Sequence, residues 1–395
     1  MQRQANRSIS PRRVLLFGSV MHVWNDAFFA LLAPLLPFIA QDLGLSYTQS
    51  GLLKAVFAGA SGVLQIPAGF LAERWGELWL LVGGNLWVGL GLVAMGLSHS
   101  YGMLLAASFL GGLGGGAQHP LATSMVSRAY ERGSGYTAIG TLNFAGDVGK
   151  VAAPALAAVA AATLGWRPTF VLLGVAGTLF LLATLAVGRR VALPPARREP
   201  EGAASEAAQD APVRAFATLS LVGMLDAATR GAALTFLPFV LADKGLDAAQ
   251  VSALFVLVYG GGAAGKFALG WLGDRVGVMG LIWGSKGVTA LLLVGFLPLP
   301  VAAIAPLLVV FGFGLNRTSS VLYASVARIT PARQRARRYG IYYTGTEAAT
   351  AVAPVVYGVV ADAAGLGVTM AAMAAATALI LPASLALGRY LKLSS

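Results

Sequence analysis

Apolar stretches of about twenty residues, separated by short polar breaks, constrain this chain more than any other feature. Twelve can be read, near 14–40, 48–72, 78–97, 102–126, 135–163, 168–188, 215–241, 248–272, 278–297, 302–327, 338–362 and 367–388. Each is long enough to cross a bilayer as a helix. None alternates with a period of two, which disfavours a β-barrel. Composition agrees: only 11% of residues are charged and 57% are hydrophobic, against roughly 25% charged in soluble domains. So little charge cannot cover the surface of a water-soluble fold of this length. The first span is long and has no small-residue cleavage site, so it reads as a retained helix. Cysteine is absent, which excludes disulfides, thiol catalysis and thiolate metal sites.

Residues 189–213 break the pattern, being rich in Arg, Glu, Pro and Ala with no hydrophobic run. They read as a cytoplasmic linker between two six-helix bundles, 1–188 and 214–395. The net charge of +12 suggests nucleic acid only until the bases are placed. Most fall on one side of the predicted spans, at both ends of the chain, in the linker and in alternate loops, whereas Arg167 and Lys244 fall on the other. By the positive-inside rule this puts both termini and the linker in the cytoplasm, and the chain in an inner or plasma membrane with no nucleic-acid partner.

The halves repeat. Asp26 falls opposite Asp226, Arg128 opposite Arg328, Asp147 opposite Glu347 and Pro154 opposite Pro354. Shifted by one residue, Gly69, Glu73-Arg74 and Gly76 fall opposite Gly270, Asp274-Arg275 and Gly277. Parallel six-helix repeats belong to secondary transporters, with the site expected near the midplane between the halves. The loops Gly69-Phe-Leu-Ala-Glu73-Arg74-Trp-Gly76 and Gly270-Trp-Leu-Gly-Asp274-Arg275-Val-Gly277 resemble the Gly-x-x-x-Asp-Arg-x-Gly signature of the major facilitator superfamily. The first copy departs from it in having Glu73 for Asp, and Glu77 where a basic residue is common. The resemblance implies an all-α membrane fold of twelve transmembrane helices in two pseudo-symmetric bundles, with these loops as gating turns. Two shorter motifs, His22-Val-Trp-Asn25-Asp26 and Gly-Gly-Gly-Ala-Gln118-His119-Pro120, are similar to the fosmidomycin-resistance type of drug exporter. Leu121 departs from the acidic residue expected after His-Pro in that group. This likeness implies proton-driven export of a small drug-like or phosphonate compound.

Charges inside the spans point to function. The acids are Asp26, Asp147, Asp226 and Glu347, and the bases Lys54, Lys150, Arg230, Lys266, Lys286 and Arg317. Each central, unpaired charge costs at least about 2.5–3.5 kcal/mol. All of them together would exceed the net stability of about 5–15 kcal/mol typical of a fold. They must therefore be paired, hydrated or near the ends. Asp147 and Lys150 share a helix face, as do Asp226 and Arg230, so each pair reads either as a structural ion pair or as part of a site. The superfamily resemblance directs Asp26, His119, Arg230 and Arg317 toward the substrate path, with Asn25, Lys54 and Lys266 as further lining residues. Lys286 reads as peripheral or structural. The excess of buried bases favours an anionic substrate, and Arg317 suits a carboxylate or phosphonate. Asp26, Asp147 and Glu347 are the candidates for proton coupling. Asp26 is favoured because its own helix offers no cation within one turn.

Other chemistries fit less well. Gly260 to Lys266 nearly spells a phosphate-binding loop, but Phe267 stands where Ser or Thr should hold magnesium. His22, His99 and His119 have no metal-ligand spacing in the sequence. No arrangement specific to an enzyme is present, and no cofactor is expected. The sequence therefore predicts a monomeric alternating-access transporter for proton-coupled export of a small anionic or drug-like compound. Uptake or exchange of an organic anion such as a carboxylate is the alternative, ahead of a channel or a membrane enzyme.

Overall fold

The computed structural model describes residues 10–130, 135–188, 213–330 and 335–392. The expected linker lies outside the described residues except for Val213. All the regular structure among the described residues is helical: α1 (Pro11–Leu43), α2 (Tyr47–Trp75), α3 (Glu77–Gly96), α4 (Tyr101–Leu113), a 3-10 turn over Gly114–Ala117, α5 (Gln118–Ala129), α6 (Gly135–Leu164), α7 (Trp166–Gly188), α8 (Val213–Asp243), α9 (Ala248–Gly295), α10 (Val301–Arg328), α11 (Arg335–Ala378) and α12 (Ile380–Lys392). In hydrocarbon every backbone polar group must find a partner within the protein, and a helix meets that need within one segment. Seven helices among the described residues are long and apolar enough to cross a bilayer.

The helices follow the expected spans with three differences. The fourth span is divided, because the triple glycine of Gly114–Ala117 winds into the 3-10 turn between α4 and α5. Glycine adds no side-chain packing to hold the wider α-helical turn. Helix α9 covers the eighth and ninth spans. Helix α11 covers the eleventh and part of the twelfth, with non-helical backbone at Gly365 (φ 82°).

The chain forms two compact units. One comprises Met1–Ala30, Ala60–Ala153 and Arg167–Arg198, and the other Leu31–Gly59, Pro154–Trp166 and Glu199–Ser395. In the first, α3 lies against α4 so closely that Gly91 meets the backbone of Gly111. Such contact through small residues is how helices associate where lipid is as apolar as leucine. In the second, Leu219, Val222, Ile282, Leu322, Val326, Ile380 and Leu387 form a buried core. The start of α2 is held in this unit by Asp362 of α11. Its carboxylate accepts from the backbone N–H groups of Tyr47 (2.8 Å) and Thr48 (2.9 Å) and from the Thr48 hydroxyl. These are donors that a helix N-terminus leaves without an intrahelical partner.

The two copies of the loop signature differ in how much they show. Gly76 has φ 82° and caps α3, a conformation that costs any residue with a Cβ. The last glycine of the first copy is therefore a backbone requirement. Arg74 is exposed in the last turn of α2. Glu77 is buried in the first turn of α3 and forms a two-pronged ion pair with Arg128 of α5, Nη1 donating to Oε1 at 2.8 Å and Nη2 to Oε2. Arg128 Nη1 also donates to Ser124 Oγ. The departure of Glu77 from the signature thus has a local partner. In the second copy Gly270, Asp274, Arg275 and Gly277 fall within α9, and their side chains lie outside the described residues, as do those of Gly69 and Glu73.

Candidate functional site

Helices α1, α5 and α6 build one polar cluster inside the first unit. Helix α1 contributes His22, Asn25 and Asp26, all buried and spanning about one turn. Helix α6 reaches α1 through glycine. A Cβ at Gly149 would run into the carbonyl of Val23, and one at Gly146 into the side chains of Asp26 and His22. This approach delivers Lys150 to Asp26, Nζ to Oδ2 at 2.9 Å, while the same Nζ stays 3.6 Å from Asp147 Oδ1 on its own helix. The start of α5, set by the 3-10 turn before it, places His119 Nε2 at 3.9 Å from Asp26 Oδ1. His22 Nε2 lies 3.5 Å from Asp26 Oδ2, and the two imidazoles meet edge to face at 5.0 Å.

One carboxylate thus faces two imidazoles and an ammonium. The Asp26 side chain is only 6% exposed, whereas those of His119 and Lys150 are 44% and 36% exposed. Asp26 and His22 are shielded, whereas His119 and Lys150 are partly open. Two buried donor-capable atoms, His22 Nδ1 and Asn25 Nδ2, have no hydrogen-bond partner among the described residues. Next to the cluster Gln118 is buried and accepts from Asn85 Nδ2 at 3.0 Å. His22, Asp26 and His119 each bring a ligand atom within 4.8 Å of the others, a grouping that sequence spacing did not show because the residues come from two helices. The Lys150 ammonium already supplies a cation at that carboxylate.

A second cluster lies inside the other unit and involves the repeat partner of Asp26. Asp226 of α8 pairs with Lys286 of α9, and that ammonium also donates to the Gly314 carbonyl of α10 at 3.3 Å. Arg230 is more distant, its Nη1 3.8 Å from Asp226 Oδ2. The side chains of Lys286 and Asp226 are 0% and 2% exposed.

Two expectations change. Asp26 does have a close cation, Lys150, which arrives from another helix and so escapes any argument based on one helix's periodicity. Lys286 is fully buried and is the main partner of Asp226, whereas Arg230, one turn along the same helix, is secondary. Lys54 of α2 and Glu347 of α11 are half-buried and form no ion pair among the described residues. The side chains of Lys266 and Arg317 lie outside the described residues.

A helical membrane protein with paired charges buried inside its spans is the class that fold and site define. The family model of the Major Facilitator Superfamily matches residues 15–320 and 219–392, and the chain belongs to that superfamily. It is a multi-pass membrane protein. It is similar to the "Fosmidomycin resistance protein" of Escherichia coli, 31% identical over 37% of this chain and 36% of that one. It is also similar to the "Probable L-galactonate transporter" of the same organism, 28% identical over 35% and 31%. A longer match, 26% identical over 68% of this chain and 66% of the relative, is to "Multidrug resistance protein MdtG" of Enterobacter lignolyticus. The chain spans about a third of the length of the first two relatives. These relatives are named as transporters and resistance proteins, not as enzymes. Among solved structures, the nucleoside transporter NupG superposes with a TM-score of 0.77 at 13% identity, covering 95% of this chain and 99% of that one. A bacterial homolog of the human lysosomal transporter Spinster gives 0.71 at 18%, covering 98% and 96%. Both likenesses concern the fold.

Proposed function

We propose that the chain is a secondary transporter working by alternating access, which exports a small anionic or drug-like compound in a proton-coupled cycle. The observation that carries the anion and proton assignments, though not the direction, is Lys150, shared between Asp26 and Asp147 while remaining one-third exposed. A buried carboxylate balanced by an exposed ammonium can change its charge when a solute or a proton arrives. Asp26 is the proton site, Lys150 and His119 meet the anionic group of the solute, and Asp147 holds Lys150 when Asp26 releases it. Arg230, Arg317, Lys54 and Lys266 remain proposed lining residues and Glu347 a further acid. The chain works as a monomer in the inner membrane, with both termini in the cytoplasm.

Export as the direction leans on the relatives named for resistance. A second reading, uptake of an organic anion together with a proton, is favoured by the ion pair itself. Protonation of Asp26 frees Lys150 for an anion, so proton and anion help each other to bind. Cotransport needs that cooperation, whereas exchange needs competition. Proteoliposomes loaded with a panel of organic anions, cations and neutral solutes, under imposed pH gradients of either sign, decide the matter. An anion that accumulates against its gradient toward the acidic side supports proton exchange, and one that follows the proton toward the alkaline side supports cotransport. Movement of cations or neutral solutes alone would end the anion assignment.

A further inference from the structure

The first unit carries a groove of about 720 Å³ on α2, α3, α4 and the 3-10 turn, and none of its lining residues is titratable. Its size falls in the range of about 300–1,000 Å³ of ligand pockets. Three tryptophans line it, Trp75, Trp79 and Trp87, each more than half exposed. Gly83 and Gly114 form part of its floor. A Cβ on Gly83 would meet no atom within 4 Å, so the groove is open there because the side chain is missing. The Trp87 indole is fixed by its Nε1–H, which donates to the carbonyl of Leu110 at 2.5 Å. That carbonyl lies close to where α4 gives way to the 3-10 turn.

The groove is apolar along its length and ends beside a charge. From Leu64 to Trp75 the α2 wall rises about 16 Å, close to half of the roughly 30 Å hydrocarbon core. At the end of that wall stands Arg74, exposed, three residues from the lining Leu71 and next to Trp75. Arg128, the other base described beside this loop, is already neutralised by Glu77. Tryptophan and arginine together mark the level of the headgroups, where the ring sits between hydrocarbon and water. An arginine at that level attracts anionic lipid.

We propose that this groove is a binding site for one anionic phospholipid, with an acyl chain along Gly83 between Trp79 and Trp87 and the phosphate at Arg74. The orientation proposed above puts it in the cytoplasmic leaflet, but the site itself stands on the groove and its terminal charge. It does not involve Asp26.

Native mass spectrometry of the full chain, delipidated in detergent and titrated with phosphatidylglycerol or phosphatidylethanolamine, tests the site. The unaltered chain should retain one phosphatidylglycerol at concentrations where phosphatidylethanolamine is lost. Gly83→Leu, whose Cβ would meet no atom within 4 Å, should weaken retention of both lipids at least tenfold. Arg74→Gln should abolish the preference for phosphatidylglycerol, a change of about fivefold from one basic residue at an anionic headgroup, while leaving phosphatidylethanolamine binding as it was. Glycerol phosphate should not displace the lipid, which separates a phospholipid site from a bare phosphate site. Circular dichroism and the melting temperature of Gly83→Leu establish that the helices remain. If folded Gly83→Leu retains phosphatidylglycerol like the unaltered chain, if Arg74→Gln keeps the preference, or if glycerol phosphate competes, the proposal is wrong.

Discussion

Asp26 and Asp226 stand at equivalent places in the two halves, and each is buried against a lysine from another helix. Their surroundings differ. Lys286 is wholly enclosed and also bonds a backbone carbonyl, so the Asp226 pair is sealed on every side. Lys150 and His119 are open, and Lys150 has a second carboxylate to turn to. A sealed pair can only hold helices together. An open one can exchange partners. On the transport reading proposed above, the Asp226 pair holds helices together, while the Asp26 pair takes part in transport.

This contrast is sharpest where one cation is removed from each pair. Lys286→Met leaves Asp226 as a charge with its close partner gone. It should cost about 3–5 kcal/mol of stability, read as a fall in melting temperature or in the yield of folded protein. Adding Asp226→Leu should recover most of that loss, because a buried pair is often replaceable by apolar groups. If Lys286→Met folds and melts like the unaltered chain, the pair is not structural.

Lys150→Met should behave in the opposite way. The loss of stability should be smaller than for Lys286→Met, since the ammonium is partly solvated and Asp26 keeps two imidazoles beside it. Affinity for the anionic solute should fall about tenfold to a hundredfold, the usual effect of losing a charge-assisted hydrogen bond of about 1.5–3 kcal/mol. Unchanged affinity in equilibrium binding would take Lys150 out of the site. Two smaller effects belong to the loop signature. Glu77→Gln should lose about 1 kcal/mol through its pairing with Arg128, and Gly76→Ala about 1 kcal/mol through the positive φ. Both are measurable by thermal unfolding, and neither should alter the solute's binding constant.

Much of this was legible in the sequence, and its limits have a physical cause. Apolar length gives the helices, because a bilayer admits little else. Asp26, Asp147, Lys150 and Asp226 stand out as charges in apolar runs. Their pairing is different. Asp147 and Lys150 lie on one helix, where periodicity suffices, but the contacts of Lys150 with Asp26 and of Lys286 with Asp226 depend on how two helices are rotated and staggered. Gly146 and Gly149 were a usable signal, since two small residues one turn apart mark a close crossing. The same sign beside Lys286 misleads, because Gly284 and Gly287 flank it at the same spacing yet a Cβ on either would meet nothing within 4 Å. Sequence spacing also could not join His22 to His119, nor give Glu77 its partner on α5. The division of the fourth span follows from the glycines of its 3-10 turn, Gly114 to Gly116.

Everything proposed for transport turns on Asp26 carrying the coupled proton. Asp26→Asn in proteoliposomes, with an anion that the unaltered chain accumulates under a pH gradient, isolates that role. Gradient-driven accumulation should disappear while exchange of labelled for unlabelled solute continues, because asparagine keeps the shape of the side chain and loses its titration. Accumulation driven by the pH gradient at the unaltered rate would show that the proton is carried elsewhere.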